Sequence, residues 1–177
     1  MKYLAILRGI NVGGHRKILM KDLKELLSNL GLTEIKTYIQ SGNVVFQSKE
    51  SLTVLETTIA QIIKKNYNFE VPVIIIPVAD LQKIPQLNPY LNTTAVEKLH
   101  VTFLSSLPET EKIEKIASTD FLPDKFRIIA QTVFLCIDGK YHKSKLSNNF
   151  FEKELKVTAT TRNWKTIMKL IELSKNN

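Results

Sequence analysis

Four short stretches of the sequence concentrate residue types that could handle an anionic ligand. The first, Arg8-Gly9-Ile10-Asn11-Val12-Gly13-Gly14, sets a cation and an amide among glycines. Glycines let backbone N–H groups approach a ligand closely, and a helix beginning just afterwards would add the positive end of its dipole. The stretch is not the G-x-G-x-x-G of dinucleotide folds, and it lacks the Lys-Ser/Thr ending of a P-loop. A tight strand-to-helix turn would use the same glycines. The second, Tyr38-Ile39-Gln40-Ser41-Gly42-Asn43, gathers the side chains of Gln40, Ser41 and Asn43 at one tip. An ordinary hairpin would also choose Gly42-Asn43 for turn geometry. The third, Ser144-Lys145-Leu146, sets a hydroxyl beside an ammonium, which suggests either an activated nucleophile or, more simply, a helix N-cap. In the fourth, Thr161-Arg162-Asn163-Trp164, Asn163 is a natural N-cap and Trp164 a first helical residue. Arg162 there opposes the helix dipole, a conflict that a bound anion or a nearby carboxylate would resolve.

Catalytic groups are harder to find. No carboxylate pair falls within these stretches and no histidines have metal-ligand spacing, so catalytic residues are unassigned and no metal or cofactor is expected. Of His15, His100 and His142, only His15 lies in one of the motif loops, where a solvated loop residue is the simpler reading. Cys136 is the lone cysteine and sits in Val133-Phe134-Leu135-Cys136-Ile137, which reads as a small buried hydrophobe rather than a reactive thiol.

The chain of 177 residues carries 44% hydrophobic and 24% charged residues, the mix of a globular protein. No apolar stretch approaches the ~20 residues of a membrane helix, and no secretory signal pattern opens the chain, so a cytoplasmic protein with no membrane partner is expected. The formal charge is +8. It concentrates in residues 8–24, net +4, and residues 140–169, net +6. Such faces either aid solubility or attract a phosphate, a nucleotide or a nucleic acid.

The elements that must hold these stretches follow from apolar spacing. Tyr3–Leu7 reads as a strand, and Met20, Leu23, Leu26, Leu27 and Leu30 as a helix stopped at Gly31. Residues 35–39 and 44–46 flank a turn and predict a hairpin. Leu52, Leu55, Ile59, Ile62 and Ile63 mark a second helix, and Val71–Pro77 a fourth strand. That order, βαββαβ, is the ferredoxin-like α+β sandwich over residues 1–78. A connector, 79–97, precedes a second related α+β subdomain, 98–177. Its elements are strand 100–104, helix 109–117, hairpin 126–137, helix 144–155, strand 157–160 and an extra C-terminal helix from Trp164. The duplication rests on element order, since no residue-level repeat is visible.

Arg8-Gly9-Ile10-Asn11-Val12-Gly13-Gly14, Tyr38-x-Gln40-Ser41-Gly42-Asn43-Val44, Ser144-Lys145-Leu146 and Thr161-Arg162-Asn163-Trp164-x-Thr166 together resemble the bacterial family named domain of unknown function 1697. The resemblance runs over nearly the whole chain, in order and spacing. It implies a two-part α+β protein and carries no established activity, substrate or catalytic residue. One departure is the absence of a further glycine beside Ser144.

Ferredoxin-like topology puts the first strand–helix loop and the first hairpin at one end of the sheet. That would gather Arg8, Asn11, Gly13 and Gly14 with Tyr38, Gln40, Ser41 and Asn43. In the second half, the loops around Ser144-Lys145 and Arg162-Asn163-Trp164 would share the other end. The resulting expectation is a small phosphorylated or nucleotide-like anion held in a cleft between the halves. Alternatives are non-enzymatic nucleic-acid binding, with only Phe46 available for base stacking in the first hairpin, or a protein-interaction scaffold. Oligomeric state is not legible.

Overall fold

The computed structural model describes residues 1–175, so the last two positions of the expected 98–177 subdomain lie outside the described residues. The chain divides into two compact units: Met1–Lys83 with the chain from Lys169 onward, and Ile84–Met168.

In the first unit the elements are β1 (Lys2–Leu7), α1 (Met20–Asn29), β2 (Thr33–Tyr38), β3 (Asn43–Gln47), α2 (Leu52–Tyr67), β4 (Val73–Pro77) and the short α3 (Val78–Leu81). The strands form one antiparallel sheet in the order β2-β3-β1-β4, the ferredoxin-like arrangement. Tyr3, Ala5 and Leu7 of β1 pack with Leu23 and Leu27 of α1 and Leu55, Ile59 and Ile63 of α2 in a single core. Leu4 and Ile6, which alternate with them, are fully buried too. Burial of both faces is why β1 reads as an unbroken apolar run rather than an alternation. Ser51 caps α2 by accepting from the Val54 N–H at 3.4 Å, and left-handed Asn68 ends it.

The second unit repeats the plan. After α4 (Ile84–Leu87) and a 3-10 turn (Val96–Lys98) come β5 (Leu99–Leu104), α5 (Thr110–Ala117), β6 (Lys125–Ile129) and β7 (Thr132–Cys136). A 3-10 turn (Tyr141–Lys143), α6 (Asn148–Leu155) and β8 (Ala159–Asn163) follow, then α7 (Trp164–Lys175), whose last turns belong to the first unit. Sheet order is β6-β7-β5-β8, antiparallel throughout. Leu104, Val133 and Leu135 pack with Ile116 of α5 and with Phe151 and Leu155 of α6. Phe121 meets Phe126 and Phe150 edge-on, and Phe151 meets Phe126 and Phe150 the same way.

Two boundaries differ from expectation. The helix expected from Ser144 begins at Asn148, capped by Ser147, which accepts from the Phe150 N–H at 3.2 Å. Both serines look like caps in sequence; Ser147 caps the helix, while Ser144 accepts from the Leu146 N–H at 3.1 Å and donates to Asp124 at 2.6 Å in the turn before it. The last strand runs to Asn163 rather than stopping at Thr160, since β8 pairs with β5 through Asn163↔His100. No described helix is long and apolar enough to cross a membrane.

Candidate functional site

Twelve residues, 8–19, join β1 to α1. Their backbone bends back on itself: Val12 and His15 form a bridge, the His15 N–H donates to Val12 O at 3.0 Å, and the Asn11 N–H to Arg16 O at 3.2 Å. Gly13 and Gly14, at φ +58° and +79°, are the two residues of this miniature hairpin. Paired positive φ is what a type I′ turn demands, and glycine supplies it without strain. Gly13 and Gly14 thus build the turn, and α1 begins beyond them at Met20. Leu19 occupies the N-cap of α1 with no side-chain cap bond.

Asn11 holds the loop to the neighbouring hairpin. Its Nδ2 donates to Ile18 O at 2.9 Å and Gln40 O at 2.8 Å, and its Oδ1 accepts from the Ile18 N–H at 2.9 Å. The first and second motifs are thus joined directly. In the hairpin, Asn43 is fully buried, and its Nδ2 donates to Tyr38 O at 3.1 Å and Ser41 Oγ at 2.9 Å. Gly42 is pressed so close that a Cβ there would sit 2.7 Å from Leu7 Cβ and 2.8 Å from Ile10 Cδ1. Asn43, Ser41 and the Tyr38 carbonyl therefore build the turn. Arg8 is half-buried at the end of β1, its backbone N–H donating to Pro72 O at 2.9 Å.

Beside this junction lies a pocket of about 600 Å³ lined by Asn11, Gly14, Lys17, Ile18, Leu19, Met20, Thr37, Ile39 and Gln40. Asn11, Gly14, Ile39 and Gln40 come from the motifs singled out in sequence; Arg8, Gly13, Tyr38, Ser41 and Asn43 lie outside the lining. Lys17 brings the one charge of the lining, and Thr37 and Gln40 bring polar groups. Lys17 had counted only toward net charge, because nothing in the sequence separates a pocket lysine from a solubilising one. Ile39 is the unexpected member. Its φ is +49°, a left-handed conformation that costs a β-branched residue roughly 1–3 kcal/mol, yet it is 48% exposed.

In the second unit a hydrogen-bond network centres on Thr161. Tyr141 donates to Thr161 Oγ1 at 2.9 Å, Thr161 donates to Asn148 Oδ1 at 2.6 Å, and Thr102 Oγ1 lies 2.7 Å away. One donor and two acceptor positions are all a hydroxyl has, so Thr161 is fully used. The Tyr141 ring stacks on His100 at 5.0 Å, and burial pushes the His100 imidazole below its ordinary value. Ser144 donates to Asp124 Oδ2 at 2.6 Å and accepts from the Leu146 N–H at 3.1 Å. Asp124 also accepts from the Asp138 N–H at 2.8 Å, which marks a loop clamp. Lys145 is exposed.

Arg162 lies in β8, immediately before the α7 N-cap. Its Nη1 donates to Thr160 Oγ1 at 3.0 Å and Thr161 O at 2.8 Å, and burial pushes the guanidinium down to about 10, still cationic at neutral pH. Asn163 caps α7, accepting from the Thr166 N–H at 2.8 Å, and Trp164 is buried as its first residue. Tyr141, Asn148 and Asp124 were missed because each is distant in sequence from the residue it serves. Among the described residues no group of three or more His, Cys, Asp or Glu is placed to hold a metal ion.

Comparison with known proteins places this architecture among relatives. A solved structure of a conserved bacterial protein from Streptococcus pneumoniae superposes with a TM-score of 0.80 at 25% identity, covering 98% of each chain. No curated protein sequence matches the chain. Residues 1–134, which carry both motifs of the first unit, match the family model described as protein of unknown function (DUF1697), and the chain belongs to that family.

Proposed function

We propose that the protein binds a small phosphorylated or nucleotide-like anion in the pocket of its first unit. The observation that carries this reading is that two motifs distant in sequence, joined through Asn11, line one pocket of about 600 Å³ with a single cation, Lys17. That volume falls within the range of small-molecule sites. Lys17 supplies charge, Gly14 leaves its backbone open, and the Gln40 amide and Thr37 hydroxyl orient the ligand. A reducing, cytoplasmic setting fits, since Cys136 is a lone buried thiol. One observation favours a second reading, nucleic-acid binding: Lys140, His142, Lys143 and Lys145 are all exposed on one basic turn of the second unit.

A thermal-shift series with inorganic phosphate, mononucleotides, sugar phosphates and short oligonucleotides tests both. A ligand at 100 times its Kd adds about 2.7 kcal/mol, roughly 5–10 °C in a chain of this size. The expected result is a shift with a small anion that Lys17→Ala and Gln40→Ala abolish. A shift with oligonucleotides alone, insensitive to Lys17→Ala and steeply salt-dependent, would replace this reading with the second. Silence throughout would sink both.

A further inference from the structure

Two residues on the pocket wall are of types that local folding disfavours, and neither is returned to the core. Ile39 takes a left-handed backbone conformation while 48% exposed. Leu19 stands at the N-cap of α1, where its side chain makes no cap bond, and is 70% exposed. The rest of the chain handles the same positions differently. The hairpin of the second unit also opens on a left-handed residue, at φ +52°, but there it is Ala130. The N-caps of α2 and α6 are Ser51 and Ser147, whose hydroxyls do cap, and that of α5 is Glu109, which makes no side-chain cap bond but is polar where Leu19 is aliphatic. An exposed aliphatic side chain kept against backbone preference, at a pocket mouth and nowhere equivalent, points to a contact made outside the folded chain. Ile18 and Met20 continue the same wall, while the polar side of the lining carries one cation.

We infer that the pocket takes a phosphomonoester with an apolar or flat heteroaromatic body: one anionic group at Lys17, and a body against Leu19, Met20 and Ile39. This rests on the site reading given above and narrows it. Inorganic phosphate lacks the body, and a polyphosphate brings more charge than one lysine balances. The aliphatic wall contains no aromatic ring, so the body is covered by dispersion and apolar burial rather than by ring stacking.

The test compares the parent chain with Ile39→Gly, Leu19→Ser and Lys17→Ala, measuring the melting temperature without ligand and the Kd for AMP, phenyl phosphate, inorganic phosphate and ATP. Glycine at a left-handed position and serine at an N-cap each relieve a local cost, so both variants melt ~1–4 °C higher than the parent. Each nevertheless weakens AMP and phenyl phosphate about tenfold, as loss of apolar contact does, while phosphate stays weak and unchanged. ATP binds less tightly than AMP. The inference is overturned if Ile39→Gly and Leu19→Ser bind AMP and phenyl phosphate like the parent, or if phosphate or ATP binds as tightly as AMP. Lys17→Ala separates the two levels of argument. If it weakens every anion while the wall variants are neutral, the site stands and only the ligand class falls; if it weakens none, the site falls as well.

Discussion

The two units share backbone hydrogen bonds at the end of their first strands. Where the Leu7 N–H donates to Gly42 O and Arg8 to Pro72 O in the first, Leu104 donates to Gln131 O and Ser105 to Thr158 O in the second. A glutamate five residues after each serine cap reaches across to the edge strand: Glu56 accepts from the Ile75 N–H at 3.2 Å and Glu152 from the Ala159 N–H at 3.0 Å. Both helices end on a left-handed residue at φ +59°, Asn68 and Lys156. The units part company at one end. Residues 8–19 join the first strand and helix of the first unit, against 105–109 in the second, and the first hairpin turns through 39–42 where the second needs only 130–131. Both enlargements border the pocket. The second helix is longer too, Leu52–Tyr67 against Asn148–Leu155, but the two loop enlargements are the ones that line the pocket, which teaches that they serve something other than the frame.

The sharpest way to break that comparison is at the two equivalent carbonyl positions. Gly42→Ala should cost about 3 kcal/mol in urea unfolding, since the new methyl meets Leu7 and Ile10 and the backbone is left-handed. Gln131→Ala should stay within about 0.5 kcal/mol. Equal losses would show that the hairpins are not specialised. Asn43→Ala comes next, at about 2 kcal/mol, because it removes a fully buried amide that ties the longer turn to Tyr38 and Ser41. Its counterpart Thr132→Ala has no such turn to release, and a matching loss there would count against the assignment of Asn43 to the enlarged loop.

Glu56→Ala and Glu152→Ala test the shared frame instead. Each strips a charged acceptor from an edge-strand N–H, for about 1–2 kcal/mol apiece, and the two losses should agree. A large disparity in chemical denaturation would argue that the second contact is incidental.

The smallest expected effect is one of sign with pH. Burial holds the Glu56 carboxyl above its ordinary range, outweighing the Ile75 N–H. The folded state then keeps the proton better than the unfolded state, so this group lowers stability as pH rises through and above the usual glutamate value. His100 works oppositely: burial holds its imidazole low, the unfolded state binds more protons, and stability is lost as pH falls through about 6.5. Glu56→Gln should flatten the first slope alone, and His100→Phe, which keeps a ring against Tyr141, the second alone. Melting curves across pH 4–8 (a range set by the ordinary values of the two groups) would read both.

Much of the frame was legible because it rests on local signals. Apolar spacing in Leu23 and Leu27 or Leu55, Ile59 and Ile63 marks a helix face, and the turn residues between paired runs mark both hairpins. Element order then suffices for the ferredoxin-like topology, which brings Asn11 to Gln40. What stayed illegible depends on choices that look alike in sequence. Gly13-Gly14 would serve a phosphate cradle or a type I′ turn equally well, and Ser144 resembles Ser147 until Asp124, far along the chain, claims its hydroxyl. Ile39 reads as one more strand residue, since a sequence carries no φ. The repeat showed in element order but not residue by residue, because it is kept in backbone bonds and caps rather than in side-chain identity.

Asn11 carries a consequence for motion. One side chain bonds the backbone of Ile18 twice and of Gln40 once, so neither loop can open without surrendering bonds of the other. The two loops should behave as one cooperative opening unit, with the Ile18 and Leu7 amides, which bond across it, exchanging with solvent deuterium on a common timescale. A ligand seated beside Lys17 would then slow exchange at amides it never touches.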